Sequence, residues 1–353
     1  MSQVTRPPAD SAGRRARKGS ADRAGAIGGL APAPSHLSAG FSRRSQRVSS
    51  MERHTVFMSS TPVRSTPTAY TTVSFLSDLG LESEHVGVVK AIIRDEAPHV
   101  AVIDLTHNIT PFDVRAGSLA LARAVPYLTE GVVIASVDPG AGGTRRLVGI
   151  EVAEGAGVFL GPDNGLLAPA IALVGGAGRA VILDRDEHHL SAPGHTFAAR
   201  DVLAPIAAAL CNGADLFDMG TPVDAGALLP GVVPIPREEN GVLSCEVIWV
   251  DRFGNCQLNV SLDDLRSVFG PDVARVRTTL GADVRNFEIV VAFDDLGQGA
   301  AGLVIDSAGL LCIAVGRASA AVELSIGEGE QVVLAPGDAT GPNAVPVTIT
   351  PHR

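Results

Sequence analysis

Aromatic residues are scarce, at 4% of 353 positions with a single Trp and two Tyr, so Ala, Val, Leu and Ile must build the core. A chain of this length is expected to hold one to three domains. No apolar run approaches the ~18 residues that a membrane span needs, and no membrane partner is expected. Cysteine is scarce too. Cys211, Cys245, Cys256 and Cys312 form no CxxC pair. They read as reduced, buried thiols of a cytoplasmic protein rather than a disulfide framework or zinc site.

Acidic residues are nearly missing from one part of the chain. Residues 1–70 carry eleven Arg or Lys against three acids, a net +8, which leaves −18 for the rest of a chain whose total is −10. An acidic body does not suit nucleic-acid binding. The first seventy residues are rich in Arg, Ser, Ala and Pro and have little to bury, so they are expected to be a disordered basic extension. A transit peptide has similar composition. Met51 and Met58 are alternative starts, and the segment is set aside from the fold.

From Thr72 apolar runs alternate with amphipathic stretches. VSFL (73–76), VAVID (100–104) and VVIASV (132–137) read as strands ending at Asp78, Asp104 and Asp138. Ser83 is placed to cap a helix carrying Val86, Val89 and Ile93, and Pro111 to open a helix over 112–125. LVGIEV (147–152), VFL (158–160) and AVIL (180–183) are further strands. Residues 200–213 read as a helix that Pro205 kinks and Gly213 stops. This alternation predicts an α/β domain with a largely parallel sheet over residues 71–218. A Pro/Gly linker follows at 219–236. Residues 237–335 show period-2 strands with frequent turns, the pattern of a small β-barrel, and 336–353 read as a loose tail.

In open α/β sheets ligands bind beyond the carboxyl ends of strands. The glycines of DPGAGGTRR (138–146) complete neither phosphate-binding pattern: no Gly-Lys-Ser/Thr follows, and GxGxxG fails at Arg145. Two ligands remain open. Asp78, Asp104, His107 and Asp138 could hold a metal, or the acids could face a sulfonium, an ammonium or a ribose diol on a substrate.

Six segments occur in order: SDLG (77–80), DLTH (104–107), DPGAGGTRR (138–146), PDNGLL (162–167), TFAARD (196–201) and DRFGN (251–255). Together they resemble the S-adenosyl-L-methionine hydrolase (adenosine-forming) and fluorinase/chlorinase family over residues 72–335. The resemblance implies hydrolysis of S-adenosyl-L-methionine without a cofactor, by a homotrimer whose sites lie between the N-domain of one subunit and the C-domain of the next. It implies that Asp78 accepts hydrogen bonds from the ribose and that Phe112 stacks on the substrate. Asn164 would shape the pocket, and Phe197 belongs to the substrate-binding motif. Asp251 and Asn255 would contact the methionine amine and the adenine or sugar. Ser307 would hold the methionine carboxylate, and the Val315 backbone would meet adenine.

In the hydrolytic branch the family surrounds the attacking water with Asp, Arg and His, and the first two match Asp138 and Arg145. A carboxylate of ordinary pKa ~3.9 is too weak a base for water at ~15.7, so Asp138 is assigned to orient the water and Arg145 to favour hydroxide. The family motif Thr-Phe-His-Gly-Arg-Asp reads Thr196-Phe197-Ala198-Ala199-Arg200-Asp201 here. The histidine is missing, and His195 is a candidate replacement. The alternatives are a halogenase (chlorinase before fluorinase), a metal-dependent hydrolase, and a catalytically weak adenosine or S-adenosylmethionine binder. Asp138 would repel halide, and Ala141 and Ala199 stand where fluorinating relatives place hydroxyls.

Overall fold

Residues 69–337 are described by the computed structural model. The expectations for residues 1–68 and 338–353 lie outside the described residues. Tyr70 is buried and its hydroxyl donates to Gly155 O at 3.0 Å. The folded body therefore reaches three residues further toward the N-terminus than its first apolar run.

Strands β1 (Thr72–Ser77), β2 (Ala101–Thr106), β3 (Gly131–Ser136), β4 (Leu147–Val152), β5 (Gly157–Pro162), β6 (Ala177–Ile182) and β7 (Thr221–Pro222) form one sheet, in the order β2-β1-β3-β5-β4-β6-β7. The pairings β2–β1, β1–β3 and β3–β5 are parallel. Those of β4 with β5 and β6, and of β6 with β7, are antiparallel. β1 and β5 are almost wholly buried, because helices cover both faces of the sheet and leave no solvent side to alternate with.

Helices α1 (His85–Glu96) and α4 (Ala204–Cys211) pack on one face through Val89, Ile93, Ile206 and Leu210. Helices α2 (Val114–Ala124) and α3 (Ala168–Leu173) cover the other through Leu121, Ala170 and Ile171.

Three element boundaries differ from the sequence reading. β2 runs on to Thr106, so Asp104 lies within an edge strand rather than at its end. Ser83 does not cap α1; its hydroxyl lies 2.6 Å from His85 Nδ1. α2 starts at Val114, because Asp113 Oδ1 accepts from Ala116 N–H and caps it there. Phe112 stands before that cap with φ +70, a left-handed backbone that bulky residues rarely adopt. Ahead of Pro205, residues Ala199–Leu203 form a π-helical turn.

The C-terminal part contains β8 (Arg237–Glu239), β9 (Val242–Val250), β10 (Cys256–Ser261), α5 (Leu262–Phe269), β11 (Arg275–Leu280), β12 (Asp283–Val290), β13 (Ala301–Ile305), β14 (Leu310–Val315), α6 (Ala320–Glu323) and β15 (Gln331–Pro336). The strand order is β10-β14-β13-β12-β11-β15-β9-β8, and pairing of β10 with β9 closes seven of them into a barrel, with β8 as a flap on β9. Val247, Leu258, Val276, Leu303, Ile313 and Leu334 fill it.

The two parts meet along α2. Arg115 pairs with Glu246 of β9, and the Arg123 guanidinium lies over the Trp249 ring, 4.2 Å from its centroid.

Candidate active site

β1 is the strand at which the connections change side: the chain leaves it for β2 on one flank and returns to β3 on the other. Such a switch point opens a crevice at the carboxyl ends. Asp78 follows β1 there. Its Oδ2 accepts from Phe112 N–H at 2.8 Å, which ties the strained Phe112 to the acid while the residue stays 69% exposed. Strain of this kind costs about 1–3 kcal/mol and persists where the surroundings over-determine it.

Asp138 stands two residues beyond β3. Its Oδ1 lies 2.8 Å from Arg145 Nε and also accepts from Gly140 N–H at 2.9 Å. No hydrogen bond occupies Asp138 Oδ2 or the two terminal nitrogens of Arg145 among the described residues. A carboxylate oxygen and two guanidinium donors therefore remain for a small oxygen ligand. A Cβ on Gly140 would lie 3.2 Å from Arg145 Nη2, so glycine lets the guanidinium fold over the turn. β4 runs against β5, so the chain starts it from the end at which β3 finishes, and residues 137–146 stay there.

Asn164 supports the same strand end. Its Nδ2 donates to Val137 O at 2.9 Å and its Oδ1 accepts from Leu166 N–H, so its amide is spent on the backbone. Next to it, buried Asp163 pairs with Arg146 and accepts from Leu229 N–H. β6 also finishes at this end of the sheet, and the segment after it packs against the Asp138 loop: a Cβ on Gly142 would lie 3.1 Å from His195 O. Phe197 is half-buried against the α1 core, with Arg200 over its ring and His85 edge-on to it at 4.8 Å. His195 is exposed. His85 was not read from the sequence as a site residue, because only the fold brings α1 to Phe197.

The four proposed metal ligands do not converge: Asp104 and His107 face each other, while Asp78 and Asp138 have partners of their own. His107 is buried, with Nδ1 2.8 Å from Ser77 Oγ and Nε2 3.2 Å from Asp104 Oδ1, too oblique for a hydrogen bond. Lys90 donates to Asp104 Oδ2 at 2.8 Å. Burial alone would push the Asp104 carboxyl up, but Lys90 and His107 together hold it below the ordinary carboxylate value. His107 O accepts from Gly80 N–H, so this group braces the turn that carries Asp78. Among the described residues no group of three or more His, Cys, Asp or Glu is placed to hold a metal ion. The four cysteines are buried, and burial pushes Cys211, Cys245 and Cys256 up to about 12, far from nucleophilic thiolates.

The barrel residues form a separate set. Asp251 Oδ1 accepts from Asn255 N–H and Phe253 N–H, and its Oδ2 accepts from Asn255 Nδ2, each at 2.8 Å. The two side chains lock one turn. Val315 ends β14 beside them, and its carbonyl already accepts from Ala318 N–H at 3.1 Å, so only part of its backbone remains for a base. Ser307 is exposed on the turn that begins β14, roughly 16 Å along the strand from Val315. Among the described residues no hydrogen bond or ion pair joins Asp78, Phe112, Asp138 or Arg145 to Asp251, Asn255, Ser307 or Val315.

Residues 73–220 match the SAM hydroxide adenosyltransferase N-terminal domain, and residues 245–333 match the C-terminal domain of the same family. The (R)-S-adenosyl-L-methionine hydrolase of Salinispora arenicola is 38% identical over 265 residues, covering 75% of this chain and 98% of the relative. That of Thermus thermophilus is 39% identical over 272 residues, 74% of this chain and 98% of its own length. A fluorinase from an Actinoplanes species is 27% identical over 288 residues, 74% of this chain and 96% of the relative. A crystal structure of an uncharacterized conserved protein from Thermotoga maritima superposes with a TM-score of 0.69 at 32% identity, covering 74% of this chain and 99% of that one. With both domains matched in order around a charged crevice at a strand switch point, the chain belongs to the SAM hydroxide adenosyltransferase family.

Proposed function

We propose that the protein hydrolyses S-adenosyl-L-methionine to adenosine and L-methionine, without a metal or other cofactor. The observation that carries the reading is the Asp138–Arg145 pair, 2.8 Å apart, with one carboxylate oxygen and the outer guanidinium nitrogens unengaged among the described residues. Water held between them attacks the ribose C5′. The C5′–O bond forms as the C5′–S bond breaks, and its electron pair neutralises the sulfonium on methionine. The water's proton leaves for solvent. Asp138 orients the water and Arg145 lowers the energy of the hydroxide-like oxygen; alignment is the main contribution. Asp78 takes the ribose hydroxyls and Phe112 offers its exposed ring to the substrate.

The barrel residues complete the site from a neighbouring copy. This is supported by the separation of the two residue sets within one chain; the family resemblance adds three copies and the unpaired buried cysteines a reducing compartment, so the working unit is read as a cytoplasmic homotrimer. Asp251 and Asn255 then meet the methionine amine and the nucleoside, Ser307 the carboxylate and Val315 the adenine edge.

Incubation with each sulfonium epimer of S-adenosyl-L-methionine, with and without chloride, followed by chromatography tests the reading. Adenosine is expected in both media from the (R) epimer, which the names of the similar hydrolases specify. Asp138→Ala is expected to cut kcat by about 10²-fold or more. Accumulation of 5′-chloro-5′-deoxyadenosine, or full activity in Asp138→Ala, would overturn the assignment.

A further inference from the structure

Arg123 is a half-buried arginine that the proposed chemistry does not use. It projects from the last turn of α2 onto the barrel, with its guanidinium stacked over Trp249 and Nη1 donating to Gln257 Oε1 at 3.4 Å. Gln257 is 1% exposed, and its Nε2 donates to Asp306 Oδ2. The other oxygen of Asp306 accepts from Ala308 N–H at 2.8 Å and from Leu310 N–H at 3.1 Å. These bonds fix the turn on which Ser307 is presented.

Burial loosens the guanidinium's hold on its proton, while Asp306 and Glu328 work against that loss, so the charge faces acids on the barrel side. No direct Arg123–Asp306 ion pair is needed. The guanidinium holds the glutamine carbonyl, which turns the glutamine amide toward the carboxylate. A planar amide passes orientation from one end to the other, and a rigid planar fork fits this role better than a flexible ammonium. α2 begins next to Phe112 and carries Arg123 in its last turn, so one helix runs from the strand-end crevice to the barrel residues Trp249 and Gln257.

We infer that Arg123 is a positioning residue for the carboxylate end of the substrate, acting through Gln257 and Asp306 on the turn that carries Ser307. This rests on the hydrolase reading above. The amino-acid half of the substrate is affected, and the nucleoside half, held at the far end of β14, is not.

The test is steady-state kinetics with (R)-S-adenosyl-L-methionine, beside inhibition by adenosine alone, on wild type, Arg123→Ala and Arg123→Lys. Arg123→Ala is expected to raise KM about tenfold, with kcat and the adenosine inhibition constant within about twofold of wild type. Arg123→Lys keeps the charge without the fork and is expected to fall between the two. A general loss of structure would weaken adenosine as well. If Arg123→Ala does not fold, Arg123→Lys and Gln257→Leu carry the test with the same expected split. Unchanged KM in a folded variant, or equal loss for substrate and adenosine, would overturn the assignment of Arg123. A wild-type protein with no turnover would instead sink the hydrolase reading and the substrate with it.

Discussion

Ala198 and His85 set the question at the scale of single residues. Ala198 leads into the π turn beside Phe197, at the position where the family motif carries histidine. The imidazole of His85 rests on that same phenylalanine. Restoring the motif should add a proton-transfer group next to the charged loop. Ala198→His is expected to raise kcat by about tenfold or more, read as adenosine formed per enzyme per second. A variant that folds and runs no faster would show that the chain does not need an imidazole there. Asp138 and Arg145 were legible in sequence because both sit on one glycine-rich loop. The Arg123–Gln257–Asp306 link and the His85–Phe197 contact were not, since each joins residues far apart in the chain and leaves no local pattern. Asp104 misled for another reason: an acid after an apolar run looks like a strand end, yet the edge strand continues past it.

Elements were read best where burial is two-sided. β1, β3 and β5 announce themselves as unbroken apolar runs, as do β13 and β14 of the barrel, while β9 and β11 show alternation. Short pieces such as α3, α5 and β8 escaped, because too few turns of periodicity accumulate to be seen. The start of α2 escaped because Asp113, rather than the preceding proline, supplies the cap. The DRFGN turn offers an element-level prediction. Gly254 has φ +83, and a Cβ there would lie 2.0 Å from Ser319 Oγ. Gly254→Ala is expected to destabilise the protein by about 1–3 kcal/mol, seen as a lowered thermal midpoint, because both the backbone and its neighbour must shift. An unchanged midpoint would mean the turn relaxes without cost.

For the whole molecule, the separation of the two residue sets decides the arithmetic of mixing. If each site takes its crevice from one copy and its barrel from the next, Asp138→Ala and Asn255→Ala damage opposite sides of it. Each variant alone should be nearly inactive. Unfolded together and refolded as an equal mixture, they should recover about a quarter of wild-type activity, since about one site in four draws an intact half from each parent. No recovery, with trimers present by light scattering, would place the whole site within one chain.

The course of β4 has a consequence for how such a centre is kept ready. Both strands that flank the Asp138 loop are laddered to the same neighbour, β5, one on each side. The loop hangs between two fixed posts and cannot swing as a flap. Its opposed charges are held in place before any reactant arrives, so admission and release must be governed by the surface that covers them.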